Sequence, residues 1–198
     1  MTPSPSGHAA RASLALVLAL AAVPATGLTL GVTARGGAGG AAAVVATDAE
    51  LRDTRSRPVR FRSDVLGRGV TLVSFTLVGC QVQCPLSDHR MNLVEDALAA
   101  RGRGDVRLVT LTINPDNRPE DLRRHAEQFG PGPSRTFLTG VPDQLYPLLD
   151  GLGMVFGNAA DHPLFFLVFD AAGRAVARIP EDRATPEALT AAVLAAAR

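Results

Sequence analysis

The chain contains two cysteines, and both fall in one short stretch, Phe75-Thr-Leu-Val-Gly-Cys80-Gln-Val-Gln-Cys84-Pro85. Three residues between them allow one helical turn of separation, so both sulfurs can face the same point. Such a pair can be redox-active, metal-binding or both. It can equally be a structural disulfide or two inert buried thiols. Two cysteines cannot make a disulfide-rich scaffold or a four-cysteine zinc site. Cys84 stands at a predicted helix start, where the N-terminal dipole and free N–H groups favour a thiolate. The remaining candidate ligands are three histidines in the same part of the chain. His162 precedes a predicted strand, whereas His89 and His125 read as solvent-facing helix positions. Met91 and Met154 lack the spacing of a methionine-rich metal tract and read as filler.

The elements that must position these residues alternate in period. Val70 to Leu77 is a β-branched apolar run that predicts a buried strand, and Val106 to Ile113 predicts a second. Thr136 to Leu138 predicts a short third strand. Leu164 to Phe169, the turn Asp170 to Gly173 and Arg174 to Ile179 predict a hairpin. Helices are predicted over Leu86–Arg101, Pro119–Phe129 and Pro142–Leu152, with a last one capped by Thr185 and running toward Ala197. This order predicts an α/β fold: a thioredoxin-like three-layer sandwich around a central mixed sheet. Carboxyl ends of parallel strands are where such folds place ligands, and the cysteine loop follows the first of them.

Upstream, Ala12 to Ala34 runs 23 residues without a charge, with Arg11 on its short flank. At about 1.5 Å per residue, that stretch is long enough to cross a hydrocarbon core of about 30 Å. Residues 1–34 are therefore expected to be a membrane anchor or a signal peptide cleaved after Val23-Pro24-Ala25. Both place the rest of the chain on the extracytoplasmic face of the plasma membrane, anchored or secreted. Residues 35–48 are Gly- and Ala-rich and read as a flexible tether, leaving a globular domain over 49–198. The net charge of +1 argues against nucleic acid as a partner. All 20 basic residues are Arg, which rules out a Lys Schiff base or a Walker lysine.

The stretch SFTLVGCQVQCP followed by a helix resembles the Sco/SenC family of membrane-tethered copper chaperones. So do INPDNRPEDLRRHAEQFG, RTFLTG and DHPLFFLVFDAAGR, in that order, over about Val59 to Ile179. The resemblance implies a copper site made of Cys80, Cys84 and His162, holding one copper ion per chain as Cu(I) or Cu(II). Ligand chemistry agrees, since thiolates prefer Cu(I) and imidazole serves both states. Three departures accompany it. Asn114 and Arg118 stand where the family turn is usually acidic, leaving Asp116 alone. The segment GMVFGNAAD is short, which shortens the family's extra hairpin. Pro163 directly follows His162, where a cis bond would also suit an oxidoreductase.

Two functions follow from the resemblance. One is a metallochaperone that delivers copper to the binuclear copper centre of cytochrome c oxidase, its partner being that oxidase's copper-binding subunit. The other is an extracytoplasmic thiol–disulfide oxidoreductase that uses Cys80 and Cys84 as its redox-active pair. A thiol reductant or another copper donor would be a further partner. Oxidation to a Cys80–Cys84 disulfide would abolish the copper site, so the same residues serve both readings.

Overall fold

The structure, a computed structural model, describes residues 44–155 and 162–198. The predicted anchor and most of the tether lie outside these residues. Among the described residues, no helix is long and apolar enough to cross a membrane. Residues 156–161, which hold most of the shortened hairpin segment, also lie outside them.

In chain order the elements are β1 (Glu50–Asp53), β2 (Pro58–Arg60), β3 (Thr71–Thr76), α1 (Gln83–Ala99), β4 (Arg107–Thr112) and α2 (Pro119–Phe129). There follow β5 (Arg135–Thr139), α3 (Pro142–Gly151), β6 (Phe165–Phe169), β7 (Ala175–Pro180) and α4 (Pro186–Ala196). Among the described residues, seven strands form one mixed sheet in the order β2-β1-β5-β4-β3-β6-β7. The centre, β5-β4-β3, is parallel, and β6 joins β3 antiparallel. Each edge is closed by a hairpin, β6–β7 on one side and β1–β2 on the other.

Alternation along the central strands builds both faces. Val73, Phe75, Val109, Leu111, Leu138 and Leu167 point one way, onto Leu145, Leu148 and Leu149 of α3. Leu72, Leu108, Phe166 and Val168 point the other way, onto Met91, Val94 and Leu98 of α1 and Leu189 and Val193 of α4. On that second face the side chains change chemistry along each strand. Leu72 gives way to Ser74 and Thr76, and Leu108 to Thr110 and Thr112, all of them buried. The sheet is therefore apolar under the amino ends of these strands and hydroxyl-lined toward their carboxyl ends, where the cysteine loop begins.

Two departures from the sequence reading have local causes. The hairpin β1–β2 was not expected because its residues are mostly charged, as suits an edge strand. Its turn is held by Asp53, whose carboxylate accepts from Arg55 N at 2.8 Å and Arg57 N at 3.0 Å. Residues 44–48, assigned above to the tether, fold onto the domain. Val45 N donates to Gly151 O at 2.7 Å, Val44 and Ala46 pack on the apolar core, and Asp48 accepts from Arg62 N and Ser63 N. The last helix begins as expected, with Thr185 Oγ1 accepting from Ala188 N at 3.2 Å.

Candidate functional site

β3 ends at Thr76, and Leu77 to Val82 carry the chain into α1. The turn needs a left-handed residue, supplied by Gly79 at φ 93°. Helix α1 starts at Gln83, three residues earlier than the apolar spacing predicted, so Cys84 lies inside its first turn and Cys80 just before it. The two thiols meet: Cys84 N donates to Cys80 Sγ at 3.4 Å, and Leu77 N donates to Cys84 Sγ at 3.5 Å. No disulfide joins the two cysteines in this structure.

Their environments differ, in the opposite sense to the sequence expectation. Cys84 is only 3% exposed, and burial, followed by the neighbouring Cys80, pushes its thiol up to about 12. Partial burial also acts against the Cys80 thiolate. It is outweighed by the Cys84 S–H and the N–H groups of Cys84, Val82 and Gln83, and the Cys80 thiol falls below 9.0. The helix N-terminus therefore favours the thiolate at Cys80, which its N–H groups reach, and not at Cys84.

A pH effect on stability follows from Cys84. Its folded pKa is raised, so the stabilisation is complete below 9.0 and is lost as pH rises from 9.0 toward about 12. In that window the unfolded thiol has lost its proton and the folded one retains it. Stability should fall by about 1.4 kcal/mol per pH unit from this group. Denaturant titrations of wild type and Cys84→Ala at a series of alkaline pH values check this. Equal slopes in the two proteins would show that Cys84 does not carry the effect.

Beneath the loop lies a buried polar network that the sequence reading missed. His125, expected to be solvated, is only 5% exposed. Its Nε2 lies 2.8 Å from Asp88 Oδ2 and 3.2 Å from Thr76 Oγ1. The ring also packs against Phe129 and Phe137, with centroids 4.9 and 6.1 Å away. The other Asp88 oxygen pairs with Arg135, whose guanidinium also donates to Thr110 Oγ1 and Asn92 Oδ1. Burial lowers the Arg135 pKa, and the Asp88 carboxylate works against that fall. The signal was present in α2: Leu122, His125 and Phe129 follow the i, i+3, i+7 spacing of a buried helix face. On α1 the matching signal is Asp88, Asn92 and Glu95, a polar stripe turned toward α2 and β5. Glu95 fixes the loop before β5 by accepting from Gly132 N at 2.8 Å and Ser134 N at 2.7 Å.

Between the cysteine loop and α2 is a pocket of about 330 Å³. Val78, Gly79, Cys80, Gln81 and Pro85 line one side, and Asp121, Arg124, His125, Gln128 and Phe129 the other. Cys80 therefore opens onto a cleft while Cys84 stays behind it.

His162 stands before β6. That strand runs antiparallel to β3, and Phe165 and Phe75 meet with ring centroids 5.0 Å apart. The topology thus brings His162 to the end of the sheet where the cysteine loop lies. Its Nδ1 is 3.4 Å from Pro163 O. Among the described residues, no three His, Cys, Asp or Glu side chains are gathered closely enough to hold one metal ion, so the structure joins Cys80 to Cys84 but does not join His162 to them. The His162–Pro163 peptide is trans, and not the cis form considered above. Trans is the cheaper isomer by about 0.5–1 kcal/mol. His89 is exposed, as expected, and Met91 and Met154 are core residues.

A family model described as SCO1/SenC matches residues 39–198. No curated protein matches the chain. Among solved structures, the chain is similar to Bradyrhizobium japonicum ScoI with copper bound, at 21% identity and a TM-score of 0.63, covering 76% of this chain and 98% of that one. It is also similar to BsSco, a member of the Sco family of cytochrome c oxidase assembly proteins in which a disulfide switch was identified. There the identity is 20% and the TM-score 0.66, covering 78% and 93% of the two chains. A third is a SCO1/SenC family lipoprotein from Bacillus anthracis, at 18% identity and a TM-score of 0.67, covering 77% and 95%. At these identities the likeness is one of fold: a central mixed sheet of the thioredoxin-like Sco type.

Proposed function

The chain belongs to the SCO1/SenC family, and on that premise we propose that it binds copper as cargo and delivers it to cytochrome c oxidase during assembly. Cys80 and Cys84 would hold the ion as thiolates, and His162 would complete the set. The observation that carries this reading is the pairing of the two thiols at the mouth of a cleft, at the carboxyl end of the parallel strands. Two adjacent soft sulfurs suit Cu(I), and an imidazole accommodates either copper state. Support also comes from the copper in ScoI of Bradyrhizobium japonicum and from the assembly role named for BsSco. The binuclear copper centre would be the acceptor and the oxidase's copper-binding subunit the partner. Residues 1–34, as anchor or signal, would put the domain on the extracytoplasmic face, a placement in keeping with the lipoprotein relative.

Copper titration of the reduced full-length chain tests the proposal. One copper per chain is expected, and Cys80→Ser or Cys84→Ser should each abolish stoichiometric binding. His162→Ala should weaken it and change the Cu(II) spectrum, because two thiolates still hold Cu(I). Full copper retention in both cysteine variants would overturn the assignment.

A second reading, thiol–disulfide exchange on a partner's cysteines, is favoured by the unequal thiols. A half-buried sulfur with a lowered pKa at the edge of the cleft, beside a buried one with a raised pKa, divides attack from resolution.

A further inference from the structure

The pocket beside Cys80 holds one group that neither reading uses. Asp88 as a carboxylate only accepts hydrogen bonds, so the His125 nitrogen facing it, Nε2, carries the ring hydrogen. Asp88 is itself fixed by Arg135 and Thr76 abuts the same nitrogen, so the ring is held from three elements, α1, β5 and β3. Nδ1 is thereby left as a lone-pair acceptor, and it makes no hydrogen bond among the described residues. His125 is one of the residues lining the pocket whose opposite wall is the Cys80 loop. The ionised side chains of the α2 wall, Asp121 and Arg124, bond to each other at 2.5 Å, so the pocket offers no unpaired charge to select an anion. Its apolar border of Val78, Pro85 and Phe129 and its amides Gln81 and Gln128 suit a small, largely neutral group.

From this arrangement we infer that the cleft between the cysteine loop and α2 is a binding subsite for an incoming thiol, with His125 Nδ1 accepting its hydrogen. The inference rests on the second reading above, in which Cys80 and Cys84 form a reducible disulfide. In the reductive half-reaction, an incoming R–SH gives its proton to Nδ1, and the resulting thiolate attacks Cys80 Sγ. The Cys80–Cys84 bond breaks, an R–S–S–Cys80 mixed disulfide forms, and Cys84 leaves with the electron pair and takes a proton from solvent. A second R–SH gives its proton to water and, as the thiolate, attacks the R sulfur, releasing R–S–S–R and the Cys80 thiolate. The imidazolium returns its proton to water. Two thiols are oxidised and one disulfide is reduced. The thiol can come from a free monothiol or from a cysteine in a polypeptide.

The test compares wild type and His125→Gln as oxidised full-length chains, reduced under pseudo-first-order conditions by three probes at neutral pH. These are L-cysteine, a short peptide with one central cysteine, and an aromatic thiolate already ionised at that pH. His125→Gln is expected to slow L-cysteine, the peptide or both by about 100-fold, the low end of general base catalysis, and to leave the aromatic thiolate unchanged. The faster of the first two with wild type identifies the source of the thiol. No loss with either, or the same loss with all three probes, would overturn the inference while leaving a reducible disulfide in place. Failure of all three to open the wild-type disulfide would sink the second reading as well. Nitrogen NMR of the wild-type histidines gives a check independent of variant folding. His125 should show the hydrogen on Nε2, and finding it on Nδ1 would refute the assignment.

Discussion

Iodoacetamide added to the reduced chain at pH 7 is expected to label Cys80 at least about 100-fold faster than Cys84, because only the thiolate is the nucleophile. With its thiol pushed up to about 12, Cys84 presents a thiolate in roughly one molecule in 10⁵ at pH 7. Its exposure of 3% further restricts approach. Cys80 borders an open pocket, and its sulfur is stabilised as a thiolate by the Cys84 S–H and three helix-start N–H groups. Mass spectrometry of peptides recovered at short times reads the two rates separately. The Cys80→Ser variant sharpens the test. Burial is the larger cause at Cys84 and Cys80 the smaller, so Cys84 should remain slow when Cys80 is gone. Labelling of Cys84 first, or at an equal rate, would refute the division of roles between the sulfurs.

That division shows where sequence patterns carry information and where they lose it. β3 and β4 were legible because each is a β-branched apolar run, and α2 because Pro119 and the acidic Glu120 and Asp121 mark its first turn. The cysteine pair was legible from its position and spacing. Which thiol the helix start would favour was not. That depends on the start of α1 at Gln83, one residue before Cys84, and the apolar spacing that predicts α1 begins only at Leu86. The hairpin β1–β2 escaped because edge strands are written in charged residues. His125 escaped because a histidine among Arg123, Arg124 and Glu127 looks solvated until its spacing from Leu122 and Phe129 is set against a sheet lined with hydroxyls. Those hydroxyls, at Ser74, Thr76, Thr110 and Thr112, read as ordinary β-formers. Only the parallel register, which sets Ser74 beside Thr110 and Thr76 beside Thr112, turns them into a polar floor for α1 and α2.

Asp88→Ala is expected to destabilise the chain by about 3–5 kcal/mol, the usual cost of leaving one member of a buried ion pair uncompensated. The Arg135 side chain is 0% exposed and that of Asp88 2%, so water cannot take the place of the lost carboxylate. Thr110 and Asn92 continue to accept from the guanidinium, but neither brings a charge. His125 loses its acceptor in the same step. Replacing both ends, as Asp88→Leu with Arg135→Met, removes the isolated charge and should recover more than half of the loss. The exposed pair Arg123–Glu127, at 4.0 Å on the outside of α2, is the control, and Glu127→Ala should leave stability unchanged within error. Urea unfolding of the full chain reads all of these variants on one scale. If Asp88→Ala lost less than about 1 kcal/mol, like a surface pair, Arg135 would have found other compensation. The network would then not be the anchor that holds His125 and α2 against the cysteine loop.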